Sequence, residues 1–433
     1  MPKSIPRLSK ADIRTMNKLS YEEIAFRVML PFVGACFSEE EFFEVIQRSY
    51  ADFGHEARAP LVQLHSNHFL LELFHGPTLA FKDFAMQLIG QMFQAALRRS
   101  GQRVTIVGAT SGDTGSAAIE AFRSLDAVDV FILYPHGRVS EVQRRQMTTP
   151  KENNVHALAV DGHFDDCQAR LKDMFNDFDF RDSVRLAGVN SINWARVLAQ
   201  IVYYFSSAVS LGAPDRLVSF TVPTGNFGDV FAGYIAKRMG LPIDRLFVAT
   251  NQNDILHRCL SSRKYKKNTV LPSLSPSMDI QVSSNFERAL FDAYDRDGRA
   301  VSRVMEDLAR KGGFSLSQGV AKNLRQHFRS GSVSEEETLE TIKINLETTG
   351  ELLCPHSAIG VNVAEKNRVP EVPMITLATA HPAKFPDAVE KASNLRPALP
   401  DRMANLYERS ERLTHVGNDL IQLEEIVKER IKA

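Results

Sequence analysis

Hydrophobic and polar positions along the chain follow two periods, one typical of helices and the other of buried strands. Segments 20–33 and 38–50 each begin with a serine followed by acidic residues, which predicts two helices with serine N-caps in a small helical unit over residues 1–52. After Lys82, apolar residues recur at helical spacing until basic residues and Gly101 follow. A third helix is therefore predicted to begin close to Lys82.

Short apolar runs then alternate with helical stretches. The predicted strands are 103–110, 128–135, 154–160, 216–222, 245–250 and 372–379. The predicted helices between them include 115–124, 140–147, 164–176, 193–211 and 228–239. This alternation predicts an α/β fold whose mostly parallel sheet is covered by helices on both faces, and ligands of such sheets bind beyond the carboxyl ends of the strands.

The domain organisation follows from a break in this alternation. Segment 261–355 contains a capped helix that ends at Gly350 and lacks the alternating pattern, so it is predicted to be a mostly helical insertion. The expected units are a helical N-terminal unit (1–52), an α/β core (53–260 and 356–400) with a small substrate subdomain at about 85–195, the insertion (261–355) and a C-terminal helix (401–433).

Composition narrows the class of protein. The 433 residues include 52 basic and 52 acidic side chains, so the chain lacks the charge excess that binding to nucleic acid or to a membrane surface requires. The four cysteines form no CxxC pair, and no uncharged apolar run approaches the roughly 20 residues of a membrane span. We expect a cytoplasmic protein with no nucleic-acid or membrane partner, in which any anionic ligand is bound by a local site.

Lys82 is the first candidate for chemistry. It follows Phe81 in "HGPTLAFKDF" (75–84), shortly after a turn-forming Gly-Pro pair. The ordinary alternative is a solvated surface lysine. A lysine flanked by phenylalanines would instead be partly desolvated, which lowers the pKa of the amine and makes it a nucleophile.

The turn "GATSGDTGSAA" (108–118) leads from a strand into an Ala-rich helix and presents Ser111, Asp113 and Thr114. Free backbone N–H groups at the start of such a helix can bind an anion, although a plain capped turn would look the same. The spacing is not that of a Walker A loop, and no lysine is present in the turn.

A second turn, "VPTGNFGD" (222–229), has the same design, with Gly225, Asn226, Phe227 and Gly228 before a helix. Its amides could hold a phosphate. The dinucleotide fingerprint needs a different glycine spacing on a first βα turn, so a single phosphate is expected rather than a pyrophosphate.

A third stretch, "NSINWAR" (190–196), places Asn190, Ser191, Asn193 and Arg196 at the start of a predicted helix. Ser191 could cap that helix, and Asn193 and Arg196 lie about one turn apart, so these groups could face one anion. The alternative is a well-capped helix without a ligand.

The last predicted strand ends in "LATAHPAKF" (377–385), which contains Thr379 and His381. A lone histidine in such a place is more often structural than catalytic. One desolvated lysine, separate anion sites and a hydroxyl at the last strand are together what a pyridoxal phosphate enzyme requires, with Lys82 bonding the cofactor and Thr379 facing its pyridine nitrogen.

Five motifs, "HGPTLAFKDF", "GATSGDTG", "NSINWAR", "VPTGNFGD" and "LATAHPAKFPD", resemble in order and spacing those of the threonine synthases. The resemblance is to the longer form with a helical insertion, within the fold type II, tryptophan synthase β-like family of pyridoxal phosphate enzymes. It implies that Lys82 is the lysine that carries the cofactor and acts as a general base. The cofactor-binding residues implied are Lys82, Asp113, Gly225, Asn226, Phe227, Gly228 and Thr379.

The resemblance also implies a substrate site for O-phosphohomoserine, which these enzymes convert with water to threonine and phosphate. The residues matched to it are Ser111, Asp113, Thr114, Asn190, Ser191 and Arg196. Asp113 stands where many relatives carry Asn. His75, Phe81 and Lys384 lie in matched motifs without an assigned role, no metal site is expected, and the family contains both monomers and dimers.

Two other functions share most of these features. A related lyase of the same fold, either a phospho-lyase or a threonine/serine dehydratase, would release a 2-keto acid and ammonia, whereas a non-catalytic binding protein would not bond the cofactor.

Members of the longer form usually begin with a further segment containing a "STRG"-like sequence, so we expect either that this element is missing or that the start is truncated.

Overall fold

The computed structural model describes residues 2–431. The α-helices are α1 (Lys10–Thr15), α2 (Tyr21–Val33), α3 (Glu39–Tyr50), α4 (Lys82–Ser100), α5 (Asp113–Phe122), α6 (Glu141–Thr148), α7 (Phe164–Asn176), α8 (Phe178–Ser183), α9 (Trp194–Ser210), α10 (Gly228–Arg238), α11 (Ile255–Ser262), α12 (Phe286–Ala293), α13 (Gly298–Lys311), α14 (Gln318–His327), α15 (Glu335–Thr349), α16 (Pro355–Asn367), α17 (Pro386–Ser393) and α18 (Leu420–Arg430). The strands are β1 (Leu61–His65), β2 (His68–Glu72), β3 (Val104–Ala109), β4 (Val128–Pro135), β5 (Val155–Val160), β6 (Leu186–Ala187), β7 (Val218–Pro223), β8 (Ile243–Thr250), β9 (Lys264–Lys266), β10 (Gly313–Ser315), β11 (Phe328–Ser332), β12 (Met374–Ala378) and β13 (Thr414–Val416).

Eleven strands form two large, mostly parallel sheets, and β9 and β10 form a separate antiparallel pair. The first has the order β1-β2-β12-β7-β8-β11, and only its β1/β2 pair is antiparallel. The second has the order β13-β5-β4-β3-β6 and is parallel throughout. The predicted α/β fold with mostly parallel sheets flanked by helices is confirmed, although the alternation of strands and helices did not reveal which strands become neighbours.

The predicted helix starts are confirmed where a serine supplies the cap. The hydroxyl of Ser20 accepts the N–H of Glu23, and the hydroxyl of Ser38 accepts the N–H of Glu41. These two helices pack with α4 and α9 around a core that contains the fully buried ring of Phe84. The N-terminal unit thus supports the helix whose first residue is Lys82.

Three strands of the first sheet, β1, β2 and β11, were not predicted from the sequence. The unpredicted hairpin β1/β2 turns at Asn67, whose φ of 54° is a conformation that asparagine tolerates, so the Ser66-Asn67 pair between two apolar runs was the available signal. The insertion contributes β11 to the first sheet beside β8, although its "FRSGS" sequence has no strand-like alternation.

The C-terminal segment 401–433, expected as a helix, is different in its described part. It forms a 3-10 segment (Asp401–Glu408), then β13, and only then α18. The three residues of β13 are held by backbone pairing with β5, which sequence periodicity over so short a run does not reveal. Within residues 2–431, no helix combines the length and the apolar character needed to cross a membrane.

Candidate active site

A cavity lies among the loops that follow β2, β3, β6, β7 and β12. Its wall includes a lysine, an aspartate, an arginine and the glycine-containing turn before α10. Because the carboxyl ends of parallel strands lie on one edge of a sheet, sequence segments far apart in the chain come together there. The predicted location of the site is therefore where the structure has a cavity.

Lys82 is the first residue of α4 and is 8% exposed. Its Nζ lies 3.0 Å from Oδ2 of Asp113 and 4.8 Å from the centroid of the Phe81 ring. The N–H of Phe81 donates to the carbonyl of Thr379 at 2.9 Å, which holds the lysine beside the end of β12. Burial lowers the pKa of Lys82 and the carboxylate of Asp113 opposes that shift, so the amine is closer to its nucleophilic form than a surface lysine.

Asp113 is surrounded by four groups that carry protons. Lys82 Nζ (3.0 Å) and Ser277 Oγ (3.2 Å) donate to Oδ2, Gln143 Nε2 (2.8 Å) donates to Oδ1, and Lys384 Nζ lies 3.0 Å from Oδ1. Burial alone would raise the pKa of this carboxyl, but the two lysines hold it well below its usual range. Asp113 is therefore a buried, ionised group that orients Lys82.

The turn at 225–228 has the geometry of a phosphate cradle. Phe227 has a φ of 63°, and a Cβ on Gly225 would lie only 2.7 Å from the carbonyl oxygen of Ser277. In the described part of the chain, the N–H groups of residues 225–228 donate to no protein acceptor, and they stand at the N-terminus of α10. Free N–H groups at the start of a helix bind anions, so this turn fits the phosphate of pyridoxal phosphate.

The insertion supports this turn from outside. Ser283 Oγ donates to the carbonyl of Gly225 at 2.7 Å, and the N–H of Asn285 donates to the carbonyl of Asn226 at 3.0 Å. With its carbonyls occupied in this way, the turn presents its N–H groups to the cavity. The segment expected to be a mostly helical insertion thus contacts the site directly.

We predict that Gly225→Ala weakens cofactor binding by at least about tenfold, because the added methyl group meets a backbone oxygen that cannot rotate away. Gly319→Ala, a helical glycine with nothing within 4 Å of the added carbon, is the matched control and should bind the cofactor like the wild type. Titration of the apoprotein with pyridoxal phosphate measures both affinities. Equal affinities in the two variants would contradict the cradle.

The segment 190–196 contributes a cation to the same cavity. Arg196 is 5% exposed and lines the wall, and its Nη1 has no hydrogen-bond partner within residues 2–431. Burial lowers its pKa to about 10, so it is still charged near neutral pH. A buried guanidinium with an unpartnered nitrogen is suited to bind an anionic ligand.

The expectation that Ser191 caps α9 is wrong. Asn193 is the N-cap, and its Oδ1 accepts the N–H of Ala195 at 3.0 Å, which also occupies the amide expected to face an anion. Ser191 instead lines the cavity, with its Oγ 3.0 Å from Oγ of Ser284. Serine and asparagine are equally good caps, so the sequence did not distinguish them.

Most of the residues predicted for the site lie on the cavity wall. Those present there are Lys82, Asp113, Thr114, Ser191, Arg196, Gly225, Asn226, Phe227, Gly228 and Thr379. The other two, Ser111 and Asn190, do not line it. Their proposed roles toward cofactor and substrate stay predictions.

Sequence reasoning missed several wall residues, namely Gln200, Asp229, Ser277, Met278 and His356. The two histidines of the sequence motifs, His75 and His381, do not line the cavity. His75 Nε2 is 2.7 Å from Glu72 Oε2, and His381 Nδ1 accepts the N–H of Ala383. His381 therefore has a structural role, as expected for a lone histidine at this position. The only available signal for Asp229 was its place next to the glycine turn.

His356 is buried at the N-terminus of α16, and its Nε2 accepts the N–H of Ser277 at 3.3 Å. Burial lowers its pKa from 6.5 to about 4. The histidine is therefore neutral near pH 7 and can accept this hydrogen bond. It holds a segment of the insertion against the cavity.

This histidine predicts a pH dependence of stability. Between about pH 6.5 and about pH 4 the unfolded state binds a proton at His356 that the folded state does not. The free energy of unfolding therefore decreases as the pH is lowered through this range, by up to about 1.4 kcal/mol per pH unit. Urea unfolding at several pH values should show a shallower decline for His356→Gln than for the wild type. The exposed His136→Gln variant should keep the wild-type decline, and an unchanged slope for His356→Gln would contradict this account.

Comparison with known protein families covers nearly the whole chain. Residues 1–50 match the family described as "Threonine synthase N terminus", and residues 357–427 match "Threonine synthase, C-terminal". Residues 53–317 match the family "Pyridoxal-phosphate dependent enzyme". The last match spans the lysine, the aspartate and the glycine turn of the cavity.

Individual relatives agree with these families. The chain is 54% identical over 431 residues to a threonine synthase of Pseudomonas aeruginosa, with 99% of this chain and 92% of the relative covered. A crystal structure of pyridoxal-phosphate-bound threonine synthase from Brucella melitensis is 53% identical, with a TM-score of 0.97 and coverage of 100% and 93%. The yeast threonine synthase structure is 40% identical, with a TM-score of 0.94 and coverage of 99% and 92%.

Proposed function

The chain belongs to the threonine synthase family of pyridoxal-phosphate-dependent enzymes, and we propose that it converts O-phosphohomoserine and water to threonine and phosphate, the last step of threonine biosynthesis. The observation that supports this most is a buried lysine in one cavity with two groups that are each suited to bind an anion. One is formed by the N–H groups of 225–228 and the other by Arg196. A phosphorylated cofactor and a phosphorylated substrate need one site each.

Pyridoxal phosphate supplies, when bound, an electron-withdrawing ring that takes up the electrons released when a proton leaves the carbon next to the substrate's amino group. The N–H groups of 225–228 would hold its phosphate, and the hydroxyl of Thr379 would face its ring nitrogen. A neutral hydroxyl does not enforce protonation of that nitrogen as a carboxylate would.

Lys82 is the group that moves protons. Its amine, whose pKa is lowered by burial, removes the proton at Cα and, after releasing it, a proton at Cβ of the substrate. After the phosphate has left, one proton returns to Cγ and one to Cα, so that the amine ends the reaction in its starting state. Asp113, 3.0 Å away, orients the nitrogen. The lysine thus acts from one fixed position within the cavity.

The second anion site serves the leaving group. Arg196, Ser191 and Thr114 lie on the cavity wall and would bind the phosphate of the substrate. A cation fixed where negative charge develops lowers the barrier to departure, and water then adds at Cβ to give threonine. The arginine is placed in advance, so it needs no reorganisation during the reaction.

Incubation with pyridoxal phosphate and O-phosphohomoserine, with threonine and phosphate followed together, tests the proposed function. Equal amounts of both products are expected. A 2-keto acid and ammonia in their place would identify the lyase or dehydratase alternative. Failure of the protein to develop the absorbance of a lysine-bound cofactor would favour the non-catalytic alternative.

We further propose that the protein acts in the cytoplasm as a monomer or homodimer, without a nucleic-acid partner. The balanced charge supports the last point, and the free state of the four cysteines, three of them buried, supports a reducing compartment. Light scattering of the purified protein would give the oligomeric state.

A further inference from the structure

Lys384 is a buried lysine that the proposed reaction does not use. It ends the 3-10 segment Pro382–Lys384, a few residues after Thr379, and its side chain is 0% exposed. Its Nζ donates to the carbonyl of Thr78 at 2.8 Å and lies 3.0 Å from Oδ1 of Asp113. Its own carbonyl accepts the hydroxyl of Ser140 at 2.9 Å. A lysine is rarely placed so deeply without a specific charged partner.

Asp113 is shared by two lysines. Its Oδ2 faces Lys82 and its Oδ1 faces Lys384, each at 3.0 Å. Lys82 lines the cavity, whereas Lys384 does not. The charge of Lys82 changes as its nitrogen bonds to the cofactor and exchanges protons, but Lys384 faces only protein groups and keeps the same partner throughout.

We propose that Lys384 is a positioning residue, which keeps Asp113 ionised and in place when Lys82 bonds the cofactor, so that Asp113 and Lys384 together set the proton affinity of the Lys82 nitrogen. The inference rests on the proposed function only in requiring that Lys82 carries the cofactor. A lone buried carboxylate would draw a proton onto the nearest nitrogen. A fixed second cation weakens that pull and leaves the nitrogen able to release its proton.

Other charged or titratable groups lie around Lys82, Asp113 and Lys384. Arg196 on α9 lies on the same wall and, like Lys384, disfavours the charged form of Lys82. His356 on α16 has its pKa lowered by burial to about 4 and is neutral near pH 7. Asp83 on α4 is held by the N–H and hydroxyl of Thr78, at 2.8 and 2.7 Å.

Asp229 on α10 accepts hydrogen bonds from the hydroxyls of Tyr203 and Tyr204, at 2.6 and 2.9 Å. None of these groups forms an ion pair with Asp113, whose ion-pair partners in the described part of the chain are Lys384 and Lys82. Removal of Lys384 therefore leaves the carboxylate with the nitrogen of Lys82 as its single paired cation.

The test is a pH titration of the visible absorbance of the purified holoenzyme without substrate. Lys384→Met removes the charge and keeps the chain length. We expect the midpoint of the absorbance change to rise by about one pH unit or more, a tenfold increase in the proton affinity of the Lys82 nitrogen. The double variant Lys384→Met/Asp113→Asn should have a lower midpoint than Lys384→Met, because the unbalanced carboxylate is gone.

Gln146 provides the matched control. Its Nε2 also donates to the carbonyl of Thr78, at 3.0 Å, but it forms no ion pair with Asp113. If Lys384 only anchored Thr78, then Gln146→Leu would move the midpoint as much as Lys384→Met. An equal shift in these two variants, or no shift in Lys384→Met, overturns the proposal.

If the Lys384→Met protein fails to bind the cofactor, the double variant tests the proposal instead. In that case the added Asp113→Asn substitution should restore binding by removing the uncompensated charge, and absence of any recovery overturns the proposal. Because no substrate is present, the titration does not depend on which reaction the enzyme catalyses. A wrong assignment of O-phosphohomoserine would leave the expected midpoints unchanged.

Discussion

Replacement of Lys82 by alanine is expected to lower kcat for threonine formation by about 10⁴-fold or more, because the proposed reaction uses this one side chain both to bond the cofactor and as the base. The protein should remain folded, since Asp113 keeps its ion pair with Lys384 and its hydrogen bond from Gln143. Coupled measurement of threonine and phosphate release gives the rate. Borohydride treatment should attach the cofactor to the peptide containing Lys82 in the wild type only.

The exposed Lys172→Ala variant is the control for this substitution, and it should retain the wild-type rate and the wild-type adduct. Threonine release at the native rate by Lys82→Ala would remove the assignment of the base. An adduct on another lysine would show that a different amine carries the cofactor.

Arg196→Leu is expected to lower kcat/KM for the phosphorylated substrate by about 10²- to 10³-fold, the usual consequence of removing a buried cation from its anionic partner. Leucine fills much of the same space without leaving a charge. Cofactor affinity should change little, because the proposed site for the cofactor phosphate is the turn at 225–228 and not this side chain. Steady-state kinetics and cofactor titration of the same protein separate the two effects.

Arg98→Leu, at the exposed end of α4, is the control for a lost surface arginine and should behave like the wild type. If Arg196→Leu lost cofactor affinity and kept its substrate affinity, the assignment would have to be reversed, with Arg196 binding the phosphate of the cofactor and the turn at 225–228 that of the substrate. Unchanged kinetics would show that Arg196 binds neither phosphate.

The parts of the site that the sequence predicted are those built by local chain geometry. Lys82 begins a helix, and residues 225–228 link a strand to a helix, so periodicity and turn-forming residues are sufficient to locate both. Family resemblance then assigned their chemistry. The strand-turn-helix unit is local, and its carboxyl-end loop faces the ligand wherever the strand lies in its sheet.

The parts that escaped prediction depend on contacts distant in sequence. Ser277 reaches Asp113 across 164 positions, from a segment whose composition is that of an ordinary surface loop. Lys384 and His356 owe their importance to burial, which no local pattern indicated for a lysine or a lone histidine. The division of strands into two sheets was also invisible, since it is decided by pairing partners and not by alternation.

The contacts of Ser283 and Asn285 with the glycine turn give the insertion a thermodynamic link to the cofactor. Local opening of this segment would release the carbonyls of Gly225 and Asn226 and with them the orientation of the N–H groups proposed to bind the cofactor phosphate. By reciprocity, a ligand that binds the ordered turn makes the insertion open less often. Retention of the coenzyme and resistance of the insertion to proteolysis are therefore one coupled property of this enzyme.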